Sequence, residues 1–365
     1  MEAQVDLMGM NGAQGEVAGQ FISNGRMNVG SMRPFFDVKT NRSYITIYKG
    51  GNPKDPKNYS TQLVSNATLR RDEWKTLDDA ILDVSRYRLG GVQDLIEKNL
   101  TYNLGNAMGT TILEWHDVSD AMEAELTMDA LSRGKGDRVT FQHNYLPIPI
   151  IHVDYEINAR VLAASRSLGN PLDTTSAERA ARRVLEKMET MLFTDTTYSF
   201  GAKDDRNRNS IYSYVNHPDR NIVNLSIPWD NSAITGAGII QDVLELKQSS
   251  LEAYHYGPWM LYIPTEYETA LDDDYDATTP GTTIRERIMK ISGITGIKVV
   301  DTLSDDNILL VQMTKDVVRL VRGMGLSNVE WTTEGKMITK YKVMTIQVPQ
   351  IRSDQNGKSG IVHMS

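Results

Sequence analysis

Between Met122 and Ala130 the chain alternates without a break: Met122, Ala124, Leu126, Met128 and Ala130 are apolar, and Glu123, Glu125, Thr127 and Asp129 are polar. A period of two places every apolar side chain on one face of a strand, and this pattern outweighs the helical propensity of Met, Ala, Leu and Glu. Arg133-Gly134-Lys135-Gly136-Asp137 supplies a turn, after which Arg138 to His143 alternates again with Val139 and Phe141 on one side. The segment reads as a long hairpin. Two strands alone are marginal in water, so the apolar face needs cover from the fold or from another molecule. Pro147-Ile148-Pro149 then keeps the chain extended, which suits a hairpin projecting from the body. Two ordinary strands of an internal sheet would give the same local pattern.

Composition removes several classes of chemistry. With no cysteine among 365 residues, disulfides, thiolate zinc sites, iron–sulfur clusters and cysteine nucleophiles are excluded. A net charge of -8, from 47 acidic and 39 basic residues, argues against a protein that grips nucleic acid through many phosphate contacts, but not against one that encloses it. There is no apolar run long enough to cross a bilayer and no basic-then-apolar leader at the N-terminus, so the expectation is a soluble, cytoplasmic product.

Along the chain, residues 1–71 are rich in Gly, Asn, Met and Ser and read as an arm with one short strand at Tyr44–Tyr48. From Asp72, the spacing of Trp74, Leu77, Ile81, Val84 and Leu95 is helical, with a break at Gly90-Gly91. The clearest helix follows Pro171. Thr175 and Glu178 form a capping-box pattern, and Ala177, Ala180, Ala181, Val184, Leu185, Met188, Met191 and Leu192 lie on one stripe. Glu178–Arg182 and Arg182–Glu186 are i,i+4 pairs on its solvent face. A second lobe begins after a loop-rich stretch: a helix carries Ile239 to Leu251, Trp259–Ile263 is a buried strand, and Thr265/Glu268 and Thr283/Glu286 are further capping boxes. Short strands are expected near 298–300, 308–313, 317–321 and 336–351, giving an α+β chain.

Every catalytic or ligand motif lacks a residue that its chemistry requires. Gly357-Lys358-Ser359 resembles the end of a phosphate loop, but Arg352 stands at its first glycine and six residues remain where a helix is needed. Gly236-Ala237-Gly238 lacks the third glycine of a dinucleotide fingerprint, which leaves a flexible entry to a helix. Asp272, Asp274 and Asp276 alternate as in a calcium loop, yet Ala277 and Thr283 occupy the places that need Gly and bidentate Glu. The histidines are dispersed, and His217 beside Pro218-Asp219 reads as a turn. Neither a cofactor nor a metal is expected. A dispersed active site on the second lobe, which would make the chain a soluble α+β enzyme, is the reading from another class.

From Val139 onward the order of features resembles the encapsulin and tailed-bacteriophage major capsid family. The resemblance is carried by Leu146 to Tyr155, Arg160 to Leu168, the turn Gly169-Asn170-Pro171-Leu172-Asp173, the long helix ending at Phe193, and Tyr256 to Ile263 with the closing strands. It implies an N-terminal arm at 1–71, a peripheral domain in two parts at 72–118 and 146–221, and an extended hairpin loop at 119–145. It also implies an axial domain at 222–315, with returning peripheral strands and a C-terminal tail at 316–365. By that resemblance, Met122, Leu126, Met128, Val139 and Phe141 contact a neighbouring subunit. Asp272, Asp273, Asp274 and Asp276 line a five-fold or six-fold axis. The implied product is a non-enzymatic virion shell of pentamers and hexamers, assembled in the host cytoplasm around double-stranded DNA without sequence-specific binding or a membrane. Portal, scaffold and decoration proteins are its expected partners. An encapsulin-type compartment holding a cargo enzyme is the alternative, disfavoured by an arm longer than such a compartment is expected to carry.

Overall fold

The computed structural model describes residues 33–49, 55–64, 67–85, 90–105, 108–118, 128, 141–168, 174–195, 198–200, 210–275, 281–334, 337–354 and 356–365. Its first body is built on a four-stranded sheet ordered β4 (Thr101–Asn103), β14 (Val318–Glu334), β15 (Ile338–Ile351) and β7 (Ile151–Asn158). Helix α4 (Thr175–Phe193) lies on β7 and β15, with α1 (Arg71–Ser85) packed against it. Alanines 177, 180 and 181 keep the inner face of α4 low, so Trp74, Leu77 and Ile81 of α1 and Tyr341 and Val343 of β15 close on it. The sequence placed this helix correctly but misjudged its start. The cap position is Thr174, whose hydroxyl donates to the Glu178 carboxylate, and on the outer face Arg182 and Arg183 both pair with Glu186.

The second body is a five-stranded sheet ordered β10 (Asn221–Val223), β16 (Ile361–Met364), β13 (Ile308–Gln312), β11 (Trp259–Ile263) and β12 (Ile294–Val299). Helices α5 (Gly236–Glu252) and α7 (Ile284–Met289) cover it, with the short α6 (Glu268–Asp272) beside α7. β11 and β13 are buried at every position, as expected of strands covered on both faces. Residues 361–364, expected in a C-terminal tail, are instead an interior strand: β16 pairs with β10 on one side and β13 on the other. Gly236 is not a loose entry to α5. Thr235 caps the helix through the Gly238 amide, and a Cβ on Gly236 would sit 2.5 Å from the Tyr275 carbonyl oxygen.

Strand β14 runs much further than the short strand expected at 317–321, whereas β15 lies within the stretch expected at 336–351, and the two pair from Val318↔Ile351 out to Glu334↔Ile338. Register shifts after Arg322, Met324 and Glu330 bend the ribbon. β15 is buried continuously from Val343 to Ile351 because cores lie on both sides of it. Its buried polar residues are satisfied only in part: Thr345 Oγ1 donates to the Met324 carbonyl, Gln347 Nε2 to Thr345 Oγ1, and Gln350 Oε1 accepts from Arg319 Nε, while Gln347 Oε1 and Gln350 Nε2 are buried without a hydrogen bond.

Within the expected arm, three strands form an antiparallel meander where one was anticipated: β1 (Phe35–Asp37), β2 (Arg42–Tyr48) and β3 (Tyr59–Val64). It leans on α1 for its core. The Trp74 indole N–H donates to the Pro34 carbonyl at 2.9 Å, Arg33 pairs with Asp78 at 2.6 Å while covering the Trp74 ring, and Phe35 packs into the α1–α4 core.

A buried polar joint ties the two bodies together. Gly90-Gly91, expected as a break, opens α2 (Gly90–Glu97), and the buried Glu189 of α4 accepts the Gly91 and Val92 amides at 2.8 and 3.3 Å. Anions suit a helix N-terminus, but burial is the larger effect and pushes the Glu189 carboxyl above its ordinary range. One turn on, buried Asp94 accepts from the Tyr262 hydroxyl of β11 at 2.9 Å and pairs with Lys298 of β12. Asp94→Ala leaves the Tyr262 hydroxyl buried without an acceptor and Lys298 without its partner. A loss of about 3 kcal/mol is expected, below the full range for a buried pair because Lys298 is one-third exposed. Urea unfolding checks this, and a change under about 0.5 kcal/mol, the range of an ordinary surface substitution, would remove the joint from the account.

Candidate assembly surfaces

The expected hairpin has its root in the structure, built from a strand that the sequence reading missed. β6 (Phe141–Pro147) pairs antiparallel with β5 (Ile112–Val118), from Ile112↔Pro147 to Val118↔Phe141. The bond from the Ile148 amide to the Thr111 carbonyl marks the hydrogen-bonded positions, and alternation makes Asp117/Gln142 bonded and Ile112/Pro147 and His116/His143 non-bonded. Pro147 has no N–H and therefore sits where none is needed. On the inner face, Leu113 and Trp115 join Leu146 against a core with Met191, Val321, Ile346 and Val348. Glu114, His116 and His143 are exposed.

Met122, Leu126 and Val139 of the expected contact face lie outside the described residues, as do the expected strand Met122–Ala130, Met128 excepted, and the turn after it. Met128 is fully exposed in the single chain, and Phe141 enters β6 opposite Val118.

The acidic loop is fastened at its described end. Asp272 pairs with Arg285 at 2.7 Å, Asp273 Oδ1 accepts the Asp274 amide, Asp274 bridges to Thr283, and the Arg287 guanidinium covers the Tyr275 ring at 4.0 Å. No group of three or more His, Asp or Glu that could hold a metal occurs among the described residues. Asp276 lies outside them. Of the two capping boxes here, Thr283 does cap α7 through the Glu286 amide, whereas the Thr265 stretch is a 3-10 turn and α6 begins after Tyr267 without a side-chain cap. The phosphate-loop look-alike is a turn on the Asp354 carboxylate, which accepts the Asn356 and Lys358 amides. Lys358 rests on the Tyr254 ring, and the chain continues into a strand.

An apolar feature that sequence reasoning passed over is the far end of the β14–β15 ribbon, where Trp331 and Met337 are 54% and 58% exposed and Lys342 Nζ lies 3.8 Å from the Trp331 ring centre. Its signal was Trp331-Thr332-Thr333 with Met337 between two alternating runs. No helix of the described residues is long and apolar enough to cross a membrane.

His217 is a buried turn residue whose Nδ1 accepts the Asp219 amide, and burial lowers its pKa to about 4. His363, in β16, accepts from Arg220 Nε through Nδ1 and meets Asn307 Oδ1 through Nε2 at 2.6 Å, so its neutral form carries the proton on Nε2. Burial, then the Arg220 charge, lowers its pKa to about 4. The unfolded chain takes up these protons near pH 6.5 and the folded chain near 4, so their stabilisation is complete above pH 6.5 and is lost as pH falls toward 4. For His363 the loss is on the order of 3 kcal/mol. His363→Gln is expected to reduce the drop in urea midpoint between pH 7.5 and 4.5; an undiminished drop would exclude His363 as a source of acid lability.

Comparisons with known proteins converge on one architecture. Residues 64–364 match the model of a family described as a family of unknown function, DUF6260. A search of curated proteins returned no match. Among solved structures, a virus-like particle from Pyrococcus furiosus is 18% identical, with 80% of this chain and 99% of that chain covered and a TM-score of 0.58. The capsid of Myoviridae phage XM1 is 8% identical, with 74% and 90% covered and a TM-score of 0.55. The capsid of a native GTA particle is 11% identical, with 74% and 89% covered and a TM-score of 0.51. At these identities the likeness is one of fold: the chain has the architecture of phage capsid and virus-like-particle subunits.

Proposed function

We propose that this chain, which belongs to the DUF6260 family and folds as a phage capsid subunit does, is the major capsid protein of a tailed bacteriophage. It assembles through pentamers and hexamers into an icosahedral shell that encloses double-stranded DNA. The observation that carries the reading is near end-to-end coverage of capsid and virus-like-particle subunits, together with a two-stranded ribbon root in which β5 pairs with β6. In this reading the arm is 1–71, the peripheral domain 72–118 and 146–221, the extended loop 119–145, and the axial domain 222–315 joined by β16. The ribbon face bearing Met122, Leu126, Met128, Val139 and Phe141 is sheltered by a neighbouring copy, and Asp272 to Asp276 face a symmetry axis. Its partners are other copies of itself and the portal, scaffold and decoration proteins of a virion assembled in the host cytoplasm. Catalysis has no part in the role.

Negative-stain electron microscopy of the expressed chain tests this. Closed particles tens of nanometres across are expected. A monodisperse monomer at every concentration and salt tried would defeat the proposal, and a cargo enzyme co-purifying inside particles would favour a compartment over a virion.

A further inference from the structure

We infer that His116 and His143 form a two-histidine site for a divalent transition-metal ion of the zinc class, at the root of the ribbon. The two residues are direct cross-strand partners at a non-hydrogen-bonded position, where opposite Cα atoms approach to roughly 4.5 Å and side chains stand closest. Their rings meet at 4.3 Å between centroids and 85° between planes. An ion bound at about 2.0–2.1 Å from each ring nitrogen would lie roughly 3.2 Å from each ring centre, with the rings about 4.5 Å apart at a right-angled ligand arrangement and about 5.2 Å apart at a tetrahedral one. The observed pair is within about 1 Å of both, a change that side-chain torsions supply without moving the strands.

Three features favour an ion here. Both imidazoles are exposed, so water can complete the coordination sphere. They stand on paired strands whose opposite face is anchored by Leu113, Trp115 and Leu146, a more rigid platform than a loop. Glu114 lies on the same exposed face two residues before His116 and adds negative charge beside the bound cation. Neutral imidazole is a ligand suited to zinc, copper and nickel, and with two protein ligands the site is open. Bound metal would clamp β5 to β6 where the ribbon leaves the subunit. The site does not depend on the shell reading.

Titration of the full-length protein with zinc chloride by isothermal calorimetry tests the inference. One ion per chain is expected. His143→Ala and, separately, His116→Ala should each weaken binding by at least roughly tenfold, since even changes to outer-shell groups weaken metal sites by that much. His152→Ala, an exposed histidine of β7, should leave it unchanged. With copper(II), electron paramagnetic resonance should show nitrogen hyperfine structure that either ribbon variant removes. Binding that survives both ribbon variants, or zinc that produces no heat, would overturn the assignment.

Discussion

A chain in which residues 118–141 are replaced by Asn-Gly is expected to fold and to form no particles. Asp117 and Gln142 are a hydrogen-bonded pair, the kind that flanks a two-residue type I′ turn, and Asn-Gly supplies the two positive φ angles which that turn requires. Leu113, Trp115 and Leu146, through which the root packs on its core, all lie outside the excised segment and are kept. Circular dichroism and urea unfolding should therefore show a folded subunit within about 1 kcal/mol of the intact chain. Assembly is a different matter. If a neighbour shelters the ribbon's apolar face, removing it deletes one side of every overlap, and because a closed shell repeats that contact at each subunit, the loss is all-or-none. Size-exclusion chromatography with electron microscopy reads the result. Particles formed normally by the shortened chain would show that the ribbon is not the fastening, and a shortened chain that cannot fold would place the ribbon inside its own subunit's core.

What the sequence disclosed of this fold follows from where single-sided burial exists. Helices α4 and α5 expose one face, so their apolar stripes were readable, and β11 and β13 were readable as unbroken apolar runs bounded by turns. β5 was not. Ile112-Leu113-Glu114-Trp115-His116 alternates only from Leu113, and its partner lies on the far side of the 22 residues between Val118 and Phe141. The outer half of β14 was hidden because Gly323 and Gly325 stand beside register shifts that break the period of two. Long-range polar contacts leave no local trace. Glu189 reads as one more solvent-face charge on a helix, and only folding places it at the N-terminus of α2, 98 residues earlier. The same holds for the histidine pair at the ribbon root: His116 and His143 are dispersed in the chain and become neighbours through strand register alone. Of the residues singled out for assembly, the acidic ones were found engaged in local contacts up to Tyr275, which accounts for the loop's conformation there without an ion.

Gly293→Ala is expected to destabilise the second body by about 4 kcal/mol, the combined effect of two separable terms. Gly293 has φ +93, a conformation outside the left-handed well that an L residue tolerates, which costs roughly 1–3 kcal/mol. Its added Cβ would also lie 2.4 Å from Cζ3 of Trp259, and forcing a methyl group into a packed core costs roughly a further 1–3 kcal/mol. The indole cannot easily step aside. Trp259 is 2% exposed, its Nε1–H donates to Ser250 Oγ at 2.9 Å, its amide donates to the Gly293 carbonyl at 2.8 Å, and Gly257, just before β11, closes on the same ring. Gly281→Ala separates the terms, because Gly281 has φ +102 and no atom within 4 Å of its Cβ position, so only the backbone strain applies. Urea unfolding followed by tryptophan fluorescence should give Gly293→Ala a loss of about twice that of Gly281→Ala, with a changed native emission in the Gly293 variant alone. Equal losses would mean that the tight seat of Trp259 contributes nothing, and that the second sheet owes its stability to burial of its strands rather than to this lock.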